Sequence, residues 1–148
     1  MFIQLIYLMN KKVMYLYFVI LNLIRGGYLM KPIQSFLMMY YILEQCYDYY
    51  EENDLGGFLG AISPGIFADG LPVDKAIFED WIEITNLELL NNKNIIKKIY
   101  DFLEYYEKKY EFNFSKTTEF LIKYGNKKMV DLAIIKTEEM YKKFNYDN

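Results

Sequence analysis

Pro32-Ile33-Gln34-Ser35-Phe36-Leu37-Met38-Met39-Tyr40-Tyr41-Ile42-Leu43-Glu44-Gln45-Cys46-Tyr47-Asp48-Tyr49-Tyr50 is the stretch that decides the fold. Ile33, Phe36, Leu37, Tyr40, Leu43, Tyr47 and Tyr50 recur at helical steps, so they share one face of a helix. Pro32 suits the first turn, where its missing N–H goes unused. The same period returns in Ile77, Phe78, Trp81, Ile82 and Thr85. It returns again in Ile95, Ile99, Phe102, Leu103, Tyr106 and Tyr110, in Phe120, Leu121 and Tyr124, and in Met129, Val130, Ala133, Ile134, Thr137 and Tyr141. No stretch alternates with period two. The expected fold is all-α, a single compact bundle of about five to six helices, with 30–148 as the helical domain.

Between the first two of these helices lies the most punctuated part of the chain. Asp54 to Trp81 holds five of the eight glycines, two of the three prolines and the only tryptophan. Asp54 reads as the N-cap of a short helix carrying Leu55, Phe58, Leu59 and Ile62. Gly56, Gly57 and Gly60 weaken that helix by about 1 kcal/mol each relative to alanine, so close approach of another element is expected there. Ser63-Pro64-Gly65 stops it, Asp69-Gly70 is a turn signal, and Asp74 caps the next helix. Asn91 or Asn92 is expected to begin the long helix, Ser115 to cap a shorter one, and Gly125-Asn126 to close it.

Composition excludes several kinds of chemistry. A chain of 148 residues with 53% hydrophobic residues can bury one sizeable core. There is no histidine, which removes the commonest general base and metal ligand. The lone Cys46 rules out an internal disulfide and reads as a buried, inert thiol. With one Cys and no His, no metal site is expected. Glu51, Glu52 and Asp54, or Glu79, Asp80 and Glu83, could in principle do acid–base work, but no polar partner accompanies them. Gly56-Gly57-Phe58-Leu59-Gly60 lacks the lysine and hydroxyl of a phosphate loop. The chain is read as a non-enzyme without a cofactor. The many tyrosines fit an AT-rich coding bias and are discounted as ligands. Trp81 is read as core.

Charge is distributed unevenly. Between Met30 and Leu90 eleven acids face Lys31 and Lys75, whereas 91–148 carries twelve lysines against nine acids. Clustered carboxylates attract cationic partners and repel nucleic acid. A basic protein is the expected partner, with Asp48, Glu51, Glu52, Asp69, Glu79, Asp80 and Glu83 as its contacts. Caps and solvated helix faces are the plainer explanation of any single one of them.

Residues 1–29 differ from the rest, with Lys11, Lys12 and Arg25 and no acid. Val13 to Ile24 is an apolar run of twelve broken only by Asn22, shorter than the about 20 residues of a spanning helix. Three readings stay open: translated leader DNA, a signal or membrane segment without a small-x-small cleavage site, or a genuine first helix. Arg25-Gly26-Gly27 can be encoded by a purine tract of the kind bacterial ribosomes bind, with Met30 as the start, which favours the first.

The block Asp54-Leu55-Gly56-Gly57-Phe58-Leu59-Gly60, the turn at Asp69-Gly70-Leu71-Pro72, the Asp74 cap and Phe78-Glu79-Asp80-Trp81 together resemble a family of small bacterial immunity proteins encoded beside polymorphic or contact-dependent toxins. The likeness covers residues 36–84; the C-terminal half shares only helical character. Lys75 departs from the pattern, which often has proline after the capping aspartate. The resemblance implies an immunity protein that binds and neutralises a cognate toxin domain in the cytoplasm. It carries over no contact residue. In that motif Asp54, Gly56, Gly57, Gly60, Asp74 and Trp81 read as structural. The alternative is a helical structural or regulatory module, homodimeric through its tyrosines or membrane-associated through 13–24.

Overall fold

A computed structural model describes residues 30–85 and 90–146, together with Val13, Leu16, Tyr17 and Ile20. The expectations for the remainder of 1–29 and for Asp147 and Asn148 lie outside the described residues. Between Met30 and Tyr146 the described residues form these helices in order: α1 Pro32–Tyr50, α2 Asn53–Ile62, α3 Lys75–Thr85, α4 Ile95–Tyr110, α5 Ser115–Tyr124 and α6 Lys127–Phe144. Among the described residues there is no strand. The fold is an all-α bundle.

α1 is its axis. It touches each of the other five helices, α6 most extensively. The one-face reading of this segment is therefore too narrow. Ser35 through Met39 are all buried, as are Tyr41, Ile42, Leu43 and Cys46. Tyr50, expected on the inner face, is exposed. A helix hydrophobic around its circumference belongs in the middle of a bundle. Cys46 sits in this core, and burial pushes its thiol up to about 12.

Trp81 is fully buried. Its indole N–H donates to Ser35 Oγ at 2.9 Å, and the Ser35 hydroxyl donates to the Pro32 carbonyl at 2.8 Å. The indole meets the Phe102 ring edge-on at 5.2 Å. α3 is thus bolted to both α1 and α4. Phe58 of α2 lies among Phe102, Tyr106, Phe112 and Phe114, at centroid distances between 5.5 and 6.4 Å. Such ring pairs add to area burial by about 0.5–1.5 kcal/mol.

Several helix ends differ from the local reading. α2 starts at Asn53 with Glu52 in the cap position, so Asp54 is not its cap. α5 starts at Ser115, with Phe114 in the cap position and no side-chain cap of its own. α4 begins at Ile95, after a reciprocal clasp in which Asn91 and Asn94 each accept the other's backbone N–H. Asn126 opens α6, accepting from the N–H groups of Lys128 and Met129, rather than closing α5. The cap at Asp74 holds: its Oδ1 accepts the Ala76 N–H at 2.9 Å.

Of the three helical glycines, only Gly56 is closely approached. A Cβ there would lie 2.9 Å from the Tyr47 ring, whereas Gly57 and Gly60 face open space. Close packing accounts for the first and not for the other two. The turn at Asp69-Gly70 forms, with Gly70 at φ +70°. Tyr146 donates its hydroxyl to the Gly70 carbonyl at 2.7 Å, so the end of α6 closes over this loop.

Candidate functional site

The acidic residues separate into those satisfied inside the protein and those left facing water. Glu52 belongs to the first group. Its carboxylate accepts from the N–H groups of Lys116 at 3.1 Å and Thr117 at 3.0 Å, and from the Thr117 hydroxyl at 2.6 Å. Those N–H groups are the unpaired donors of the first turn of α5. Glu52 therefore caps a helix more than sixty residues away in sequence. Asp54 sits beside it and accepts the Asn113 N–H at 2.6 Å. Together they fasten the α1–α2 junction to the α4–α5 junction.

Asp80 is half-buried and accepts the Tyr106 hydroxyl at 2.6 Å. Burial, then this hydrogen bond, raises the Tyr106 phenol above its ordinary range. Asp69 is exposed, with Oδ1 holding the Leu71 N–H at 2.9 Å within its turn. Glu44 pairs with Lys136 of α6 at 2.6 Å, and that bond holds the lysine's pKa up. Glu51 ends α1 in the left-handed region, at φ +50°.

Asp48, Glu51, Glu79 and Glu83 are exposed. Glu79 and Glu83 enter none of the ion pairs or hydrogen bonds seen among the described residues. The four do not share one spot. α3 meets α1 at Ser35 and Phe36, and Asp48 lies thirteen residues further along α1, about 20 Å at 1.5 Å per residue. These four fall at two places, one on α3 and one at the C-terminal end of α1.

Beside the second position lies a feature that the composition argument passed over. Tyr49 and Tyr50 of α1 meet Phe120 at 4.9 and 6.0 Å, and Phe120 meets Tyr124 at 5.0 Å. Tyr49 is 59% exposed. The Tyr49, Phe120 and Tyr124 rings border a groove of about 260 Å³ whose lining also includes Gln45, Asn126, Lys128, Met129 and Leu132. The Lys123 ammonium stands 5.1 Å from the Tyr124 ring centre, a cation–π contact. The usable signal was positional: Tyr49 and Tyr50 end the apolar pattern of α1, and Phe120 and Tyr124 are four apart.

Among the described residues no group of three or more cysteine or acidic side chains gathers as metal ligands. Gly56 packs on Tyr47, Trp81 is core and Asp74 is a cap, all structural placements. Comparison with protein-family models, with curated proteins and with solved structures finds no match to this chain.

Proposed function

We propose that this chain is a non-enzymatic protein-binding module of the immunity type, which holds a basic toxin domain through carboxylates left exposed on the bundle. The pair Glu79 and Glu83 carries the reading. Like charges four apart on a helix destabilise it by about 0.2–0.5 kcal/mol, and here both side chains stand exposed without an ion-pair partner among the described residues. A cationic surface brought against α3 would remove that repulsion. Asp48 and Glu51 extend the same chemistry to the end of α1, where exposed rings supply the apolar anchor typical of protein interfaces. The acids satisfied internally, Glu52 and Asp80 above all, hold the bundle in shape.

The test pairs the purified chain with the toxin domain encoded beside its gene. Calorimetry with Asp48, Glu51, Glu79 and Glu83 changed together to lysine should show affinity lowered by roughly a hundredfold or more, following the 2–5 kcal/mol cost of breaking desolvated charge pairs. Undiminished affinity in that variant overturns the assignment of the surface.

Self-association is the second reading, favoured by the exposed Tyr49, Tyr50 and Tyr124. Light scattering separates the two: a tight dimer that Tyr49→Ser disperses supports self-association.

A further inference from the structure

Between α2 and α3 the chain exposes three large apolar side chains: Ile66 at 63%, Phe67 at 48% and Val73 at 38%. Exposed apolar surface rimmed by polar groups marks a contact site. The segment that bears it is held firmly. Gly70 donates its N–H to the Phe67 carbonyl at 3.0 Å, Leu71 to Asp69 Oδ1 at 2.9 Å, and Asp74 to the Ala61 carbonyl at 2.8 Å. Tyr146 donates its hydroxyl to the Gly70 carbonyl at 2.7 Å, and Gly70 and Pro72 are buried. The loop is thus clamped from within while Ile66 and Phe67 face water. Its charge is negative. Asp69 and Asp74 are exposed in the loop, and α3 continues with Ala76, Glu79 and Glu83 on its outer face, at steps of three and four. From Ser63 to Thr85 five acids stand against Lys75.

We infer that Ile66 and Phe67 are an apolar anchor seated in a basic protein partner, whose cationic groups meet Asp69, Asp74, Glu79 and Glu83. The inference rests on the proposed binding of a basic toxin domain and adds where that partner's apolar contact falls. Charge complementarity selects this occupant. A second copy of the chain docked through this face would bring the same carboxylates against these. Ile122, Leu132 and Ile135 are exposed too, but α5 and α6 carry seven lysines against four acids, a field that repels a basic surface. Burial of the anchor supplies affinity, and the flanking charges steer encounter and set orientation. The clamp matters because a loop already ordered loses little conformational freedom on binding. Tyr146, beyond the end of α6, is thereby a positioning residue for the interface.

Calorimetry and stopped-flow kinetics with the toxin domain encoded beside the gene test it. Ile66→Ser with Phe67→Ser should lower affinity roughly tenfold or more, through faster dissociation, and leave the salt dependence of association as it was. Ile66→Ser by itself, at the most exposed position of the loop's three apolar residues, should carry part of that loss. Glu79→Lys with Glu83→Lys should instead slow association and flatten its salt dependence. Far-UV circular dichroism checks that these variants keep their helices. Tyr146→Phe removes the clamp without touching the anchor: hydrogen exchange at the Gly70 amide should quicken, and affinity should fall about threefold. Undiminished affinity in the Ile66 and Phe67 variants, beside weakened binding in the carboxylate variant, overturns the anchor and spares the charge reading. Undiminished affinity in the carboxylate variant overturns the basic occupant and the inference with it. No binding by the unaltered chain overturns both. A Gly70 amide that exchanges equally fast in the unaltered chain and in Tyr146→Phe overturns the clamp.

Discussion

Replacing Glu52 tests whether a residue that reads as a surface acid is a structural cap. In Glu52→Ala three donors lose their acceptor: the N–H groups of Lys116 and Thr117 and the Thr117 hydroxyl. Loss of a helix cap costs about 0.5–2 kcal/mol. Removing the negative charge at a helix N-terminus adds about 0.3–1 kcal/mol. Thr117 is only 1% exposed, so water does not readily replace the carboxylate at its hydroxyl. These contributions overlap, and a loss of about 2–3 kcal/mol is expected. For a chain of this size that lowers Tm by about 6–12 °C. Glu52→Gln keeps one acceptor oxygen and should lose about 1 kcal/mol. The assay is urea denaturation followed by circular dichroism. A double-mutant cycle with Thr117→Val should return a coupling of about 1 kcal/mol, since in Glu52→Ala the threonine hydroxyl has already lost its partner. A midpoint unchanged in Glu52→Ala, or zero coupling with Thr117→Val, would refute the cap and return Glu52 to the set of available surface acids.

Gly57→Ala and Gly60→Ala should each stabilise the protein by about 0.5–1 kcal/mol, because a methyl group meets nothing there; Gly56→Ala should gain less, since it meets the Tyr47 ring, and melting temperatures read the difference. Gly70→Ala should destabilise, because φ is +70° and the new Cβ would lie 2.5 Å from Phe144 Cγ and the Tyr146 hydroxyl. Ser35→Ala leaves the buried Trp81 N–H without its acceptor and should cost about 1–3 kcal/mol in chemical denaturation. Burial raises the phenols of Tyr40, Tyr41, Tyr106 and Tyr146. Groups raised in the folded state contribute stability that is complete below their unfolded pKa of about 10 and is lost as pH climbs towards their folded values. Unfolding free energy should therefore fall steadily above about pH 10 and stay insensitive to these groups near neutrality; a flat profile above that pH would contradict their burial.

The helices were legible because amphipathic periodicity is a local property. Ile95 to Tyr110 repeats its apolar positions every three or four residues whatever surrounds it, and Trp81 and Phe78 mark an inner face in the same way. The central place of α1 was not legible from that rule. A segment apolar on all sides scores no better as a one-sided helix, and only the other five helices packing around it give each face a neighbour. Helix ends were read less well because their donors can be satisfied from afar. Asp54 looked like a cap for the helix that follows it, yet its acceptor serves Asn113, 59 residues away.

The sequence by itself determined that the chain forms helices with one shared apolar core, and it located the acidic bias in 30–90, because both depend on composition and short-range spacing. Tertiary structure alone decided which carboxylates remain available. Glu52 and Glu51 are adjacent and chemically alike, but one faces the open end of α5 and the other faces water. A hydrogen bond between residues 65 positions apart leaves no local signature, since its geometry exists only after the intervening helices have packed.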